Sequence, residues 1–206
     1  MTYMQFNELN QNYKNSIMLW LLTLTVMVFL IIIIGGLTRL TDSGLSMVDW
    51  QPILGTIPPL NNTQWLEVFN DYKLTPEFMY VNKNMTLEEF KYIFWWEWFH
   101  RFFARLIGVV FIIPFIYFLV KKNLNSFFYK RFSIIFTLGL LQALVGWWMV
   151  KSGLSENPYV SPYRLTFHLS NAVIIYALLL WTAIEYYLSL IHISEPTRLR
   201  RISYAV

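Results

Sequence analysis

The chain has 206 residues, no cysteine and three histidines; 56% of it is hydrophobic, 19% aromatic and 14% charged. Soluble domains carry roughly 25% charged residues, and a mean hydropathy of +0.44 is too apolar for a water-facing surface, so the composition indicates an integral membrane protein. Without cysteine, disulfides, iron–sulfur clusters, thiolate-ligated haem and cysteine nucleophiles are excluded, and any metal must be held by His, Met, Asp or Glu. The formal charge of +4 is modest, and no basic stripe interleaves with aromatics, so a nucleic-acid partner is excluded as well.

Residues 1–16 read as a cytoplasmic N-terminal segment. Residues 17–39 are uncharged up to Arg39 and long enough to cross a bilayer, which needs about 20 helical residues. No small-residue cleavage site follows, so this is a span and not a signal peptide. Residues 40–94 form a long outer loop. Thr41-Asp42-Ser43-Gly44 and Trp50-Gln51-Pro52 end the first helix and Pro58-Pro59 stiffens the next turn. Thr63 is placed to cap a short amphipathic helix around residues 65–72, and Thr86-Leu87-Glu88-Glu89 reads as a capping box. With Trp50, Trp65, Phe69 and Tyr80 in it, the loop is expected to be an ordered cap over a bundle mouth. Further spans follow at about 95–120, 132–150 and 165–190, the last interrupted by His168. The expected fold is all-α: a four-helix transmembrane bundle with a long ordered outer loop.

Lys121, Lys122, Lys130 and Arg131 crowd the loop between the second and third spans, whereas acids outnumber lysines in residues 40–96. The positive-inside rule then places both termini in the cytoplasm and the long loop outside. Residues 191–206, running through Ser194-Glu195-Pro196-Thr197-Arg198, depart from the pattern. They look like translated sequencing-adapter sequence, so the tail is expected to be non-native, and no function is read from it.

Ionisable groups inside a span are costly unless they face a partner or a cavity. Glu97, His100, Arg101 and Arg105 share one helical face by their i+3 and i+4 spacing. With both helices entering from the outside, His100 and His168 lie at matching depth, roughly 6–8 Å in at about 1.5 Å per residue. Paired imidazoles across a bundle are a way to hold a haem iron. Arg39, Arg101, Arg105 and Arg164 all lie on the outer side, where the positive-inside rule disfavours them, and haem propionates would explain them. Plainer roles compete. For the histidines the alternative is interhelical hydrogen bonding and for Glu97 a simple pairing with Arg101 or Arg105, while Gly35-Gly36 and Gly146 read as close helix packing, and Trp95, Trp96, Trp98, Trp147 and Trp148 as an interfacial belt.

The motifs resemble the haem A synthase family, its alphaproteobacterial and mitochondrial type, over residues 17–190. The likeness rests on Gly35-Gly36-Leu37-Thr38-Arg39-Leu40-Thr41, Ser43-Gly44-Leu45-Ser46-Met47, Trp50-Gln51-Pro52, Glu97-x-x-His100-Arg101 with Arg105, Gly146-Trp147-Trp148-Met149-Val150-Lys151-Ser152-Gly153-Leu154 and Arg164-Leu165-x-x-His168-Leu169. Ala104 departs from the pattern, standing where many members have glycine. The resemblance implies a bacterial inner-membrane enzyme that oxidises the C8 methyl of haem O to the formyl group of haem A for terminal oxidases. It implies an eight-span family fold of two four-helix halves, of which this chain corresponds to the first. In that reading Glu97 is catalytic, His100 and His168 are axial ligands of substrate haem O, and the four arginines bind propionates. A haem b cofactor would belong to the second half. Haem O synthase, a second copy of the chain and membrane lipid are the implied partners. The competing expectation is a bis-histidine membrane cytochrome b that only transfers electrons, disfavoured because such modules usually place histidines at both membrane depths. A transporter is a third class, but no broken midplane helix pair supports it.

Overall fold

The computed structural model describes residues 11–49, 54–121, 124, 126–155 and 157–194. These form helices α1 (Gln11–Leu40), α2 (Asn62–Lys73), α3 (Pro76–Tyr80), α4 (Leu87–Val120), α5 (Ser126–Gly153) and α6 (Pro162–Ser194), with a 3-10 turn at Leu54–Thr56 and no strand among the described residues. Helices α1, α4, α5 and α6 are each long and apolar enough to cross a membrane. The protein is therefore a multi-pass, all-helical membrane protein. Each helix outruns its apolar stretch by about a turn or more, because polar residues beyond the bilayer still close backbone hydrogen bonds. Trp50, Gln51 and Pro52, and the tail from residue 195, lie outside the described residues.

Local chemistry sets the helix ends. Helix α1 stops where Asp42 takes a left-handed backbone, φ 46°, a conformation that short polar side chains tolerate, while Ser43 N donates to Thr38 O at 3.0 Å. The expected capping box at the start of α4 is present: Thr86 and Glu89 bond reciprocally. Helix α2 begins earlier than expected. Asn61, not Thr63, is its cap, its side chain accepting from Gln64 N at 2.9 Å. Both residue types cap well, and the Asn61 start is closed further by Gln64, whose Oε1 accepts from Leu60 N at 2.7 Å.

Helices α1 and α6 share the broadest interface, α4 flanks α1, and α5 flanks α6. Between α4 and α5 the described contacts are ring pairs, Phe111 with Phe136 and Phe115 with Phe132, both at 6.1 Å between centroids. The principal core, which includes Trp20, Leu24, Phe111, Phe118, Phe128, Phe132, Leu179 and Tyr186, fills the half of the bundle remote from the long loop. Pro114 sits inside α4 and cannot donate to the carbonyl four residues back. That carbonyl, Val110 O, accepts instead from Trp20 Nε1 on α1 at 2.8 Å. An interhelical bond thus replaces the intrahelical one, as a chain in lipid requires.

The described part of the loop forms a cap over the other end. Trp65, Phe69 and Tyr72 from α2 pack on Phe90, Ile93 and Phe94 of α4. Burying one such ring contributes roughly 1.5–3 kcal/mol, so this cluster docks the cap. Tyr80, expected to join it, is exposed. Beneath the cluster Tyr72 donates to Glu77 Oε2 at 2.9 Å, and Asn82 Nδ2 donates to Tyr72 Oη at 2.8 Å. Burial pushes the Glu77 carboxyl up to about 7 and raises the Tyr72 hydroxyl as well.

Candidate functional site

The cap end of the bundle, away from the principal core, gathers most of the polar groups singled out by sequence. His100 projects from α4 toward α1, where a Cβ built on Gly35 would lie 3.1 Å from His100 Nε2. His168 projects from α6 toward α5, where a Cβ on Gly146 would lie 3.0 Å from His168 Cε1. Each imidazole therefore rests on a glycine of the neighbouring helix. The packing expected of Gly35 and Gly146 is thus packing against histidine rings. Gly36 has open space at its Cβ position.

Two amides, not anticipated from sequence, surround His168. Gln142 Nε2 approaches His168 Nε2 at 3.2 Å and donates to His168 O at 3.1 Å. Gln142 Oε1 accepts from Asn171 Nδ2 at 2.7 Å, and Asn171 Nδ2 also donates to Leu138 O at 3.1 Å. Gln142 stands one turn before Gly146, and Asn171 one turn after His168. The available signal was the cost of placing a carboxamide inside an apolar span.

Glu97 is buried, at 2% exposure, and its partners come from far along the chain. Oε2 accepts from Ser46 Oγ at 2.7 Å and from Met47 N at 2.8 Å, and Oε1 accepts from Arg101 Nη2. Arg101 Nη2 also donates to Met47 O at 3.1 Å. Leu45 enters the packing beside these residues against Gly153 at the end of α5, where a Cβ would meet it at 2.7 Å. Glu97 and Arg101 therefore clamp residues 46–47 onto α4. An ionised carboxylate has about four lone-pair sites, and three are engaged.

The four arginines divide. Arg101 belongs to the clamp. Arg105, one turn deeper, is partly buried and within electrostatic range of Arg101. Arg39 is half exposed and pairs with Asp42 at 2.8 Å. Arg164 stacks on Trp148 at 4.4 Å and donates to Trp148 O at 2.8 Å. Arg39 and Arg164 thus sit on the rim, held by groups of the protein itself. His168 Nδ1 and Trp98 Nε1 are buried without a hydrogen-bond partner, which native proteins rarely leave unexplained. Two buried imidazoles at the cap end, a glycine seat beneath each ring and the orphaned His168 Nδ1 fit a flat, iron-bearing ligand better than an apolar core. Among the described residues no group of three or more His, Asp and Glu side chains forms an alternative metal site.

Residues 18–206 match the family described as cytochrome oxidase assembly protein. The chain is 53% identical to the haem A synthase of Nitrosospira multiformis over 172 residues, which are 84% of this chain and 48% of that protein. It is 49% identical to the haem A synthase of Nitrosomonas eutropha over 197 residues, 95% of this chain and 55% of that protein. With the haem A synthase of Flavobacterium psychrophilum identity is 49% over 174 residues, 84% and 51% of the two. The chain spans about half the length of the curated relatives it matches, and no solved structure matches it. This four-helix membrane bundle, matched over nearly its whole length, belongs to the cytochrome oxidase assembly protein family and is a relative of the haem A synthases.

Proposed function

We propose that this chain is the substrate-holding half of a haem A synthase, an oxidoreductase that converts the C8 methyl of haem O to a formyl group. The observation that carries the proposal is the pair of histidines on α4 and α6, each seated on a glycine of the next helix at the cap end. His100 and His168 hold the iron of haem O, and Arg101 and Arg105, on the same helix as His100, offer cationic groups for its propionates. Arg39 and Arg164 serve the same anion from the rim by exchanging their present partners. The substrate supplies the methyl carbon, which must lose four electrons and four protons as one oxygen of water is installed; the electron acceptor lies outside this chain. Glu97 stands one turn before His100 on the same face, with one lone-pair site left. There it favours positive charge developing beside it and takes up a released proton. The Phe94, Trp98 and Phe102 rings along α4 limit the access of water.

A haem b cofactor is assigned to the half of the relatives that this chain does not span. The orientation follows the charge pattern: bacterial inner membrane, N-terminus in the cytoplasm and the cap on the periplasmic side. Haem O synthase, as the source of substrate, and a second copy of the chain are the proposed protein partners. The test is product analysis. Full-length protein carrying this half, expressed with haem O synthase, yields a formyl-bearing haem in extracted pigment by chromatography, and His100→Ala or His168→Ala abolishes it. Stable haem binding without a formyl product would favour the cytochrome b reading.

A further inference from the structure

The amide network around His168 assigns every hydrogen it contains. Leu138 O can only accept, so the atom of Asn171 facing it is the amide nitrogen, and Gln142 Oε1 accepts that nitrogen's second hydrogen. Gln142 Nε2 is then a donor, and its two hydrogens go to His168 O and His168 Nε2. The ring nitrogen Nε2 is therefore an acceptor, its lone pair taken by Gln142, and the ring hydrogen sits on Nδ1. Among the described residues no such donor caps His100, whose Nε2 lies against the Gly35 backbone.

We infer that Gln142 is a positioning residue that makes His168 the exchangeable one of the two ligands, because its amide and an iron compete for the same Nε2 lone pair. This rests on the haem-binding reading above. A neutral imidazole has a single in-plane lone pair on its unprotonated nitrogen, so iron binding at Nε2 displaces the Gln142 hydrogen, and iron release returns it. The displaced amide stays anchored through Asn171 and His168 O, ready to recapture the ring. A site that takes in one haem and must release another benefits from such a ligand, since tight holding of substrate and product alike adds nothing to turnover.

The experiment is a titration of the full chain in detergent with ferric haem b, following the absorption and paramagnetic-resonance spectra and the rate of haem transfer to a scavenging apo-globin. Gln142→Leu removes the competing donor at similar volume. A neutral hydrogen bond of ordinary net strength corresponds to roughly two- to tenfold, so Gln142→Leu should release haem two- to tenfold more slowly and show a larger low-spin, six-coordinate fraction. The gain should vanish when His168→Ala is added. Gln142→Met should behave likewise, and Asn171→Leu, which frees the amide from its anchor, should move release in the same direction by less. A gain in retention separates this role from mere structural support, whose loss would only weaken binding. Gln142→Leu and Gln142→Met releasing haem as fast as the parent, or faster, overturns the inference while leaving the haem reading standing. A parent chain that takes up no haem, or whose haem spectrum ignores both histidine substitutions, overturns both.

Discussion

Glu97→Gln tests the clamp that holds the loop onto α4. The substitution keeps the shape of the side chain but leaves one acceptor oxygen where Ser46 Oγ and Met47 N now share Oε2, and it turns an amide donor toward the Arg101 guanidinium. The Glu97 and Arg101 side chains are 3% and 14% exposed. Breaking a buried pair by removing one partner costs about 3–5 kcal/mol. Arg101 retains its bond to Met47 O and some water access, so the loss belongs at the lower end, about 3 kcal/mol. At about 1.4 kcal/mol per tenfold, opening of the loop rises roughly 100-fold. Hydrogen exchange across residues 43–49, with the Met47 amide as reporter, measures this directly. Protection at Met47 within threefold of the parent would refute the clamp. In a double-mutant cycle, Arg101→Gln should cost far less once Glu97→Gln is present. Ser46→Ala removes one neutral donor, worth about 1 kcal/mol, and leaves the charge intact. In the full-length enzyme, haem A yield that follows loop opening across both variants would make Glu97 a positioning residue. Yield lost only in Glu97→Gln would assign it to the chemistry.

Three further outcomes are expected. The Glu77 carboxyl, near 7 against an ordinary 4.5, binds its extra proton in the folded chain, so cap stability falls as pH rises from about 4.5 to about 7, by roughly 3 kcal/mol in all; thermal melts of Glu77→Gln should lose this slope, and an unchanged slope would remove Glu77 as its source. Trp20→Phe strands Val110 O in the bundle and should cost about 1–3 kcal/mol; in a Pro114→Ala background, where an N–H returns to that carbonyl, denaturation should register much less, and equal costs in both backgrounds would contradict the replacement-bond account. Gly35→Ala and Gly146→Ala place a methyl at 3.1 and 3.0 Å from the two rings, whereas Gly36→Ala meets nothing within 4 Å; haem content should drop several-fold in the first two only, and a drop limited to Gly36→Ala would reverse the seat assignment.

What the amino-acid order determined by itself was most of what depends on neighbours within a turn or on transfer to lipid, the α2 cap at Asn61 in place of Thr63 being the exception. Runs of Ile, Leu, Val and Phe must be helical where no water can satisfy backbone groups, so the four membrane helices could be placed to within a turn or two at their ends. Thr86 and Glu89 closed the expected box because both partners lie within one turn. Spacing likewise put Glu97, His100 and Arg101 on one face of α4. The rotation of each helix about its axis and the path of the loop belong to tertiary structure, since they arise from packing between distant segments. Hence the partners of Glu97, Ser46 and Met47, lay some fifty residues upstream and were not anticipated, nor were Gly35 and Gly146 as seats for imidazoles. Arg39 and Arg164 looked equivalent to Arg101 in a one-dimensional charge pattern. Arg39 meets Asp42 only three residues on, a local pairing, but only the fold brought Arg164 to Trp148, and only the approach of α5 to α6 brought Gln142 to the His168 lone pair.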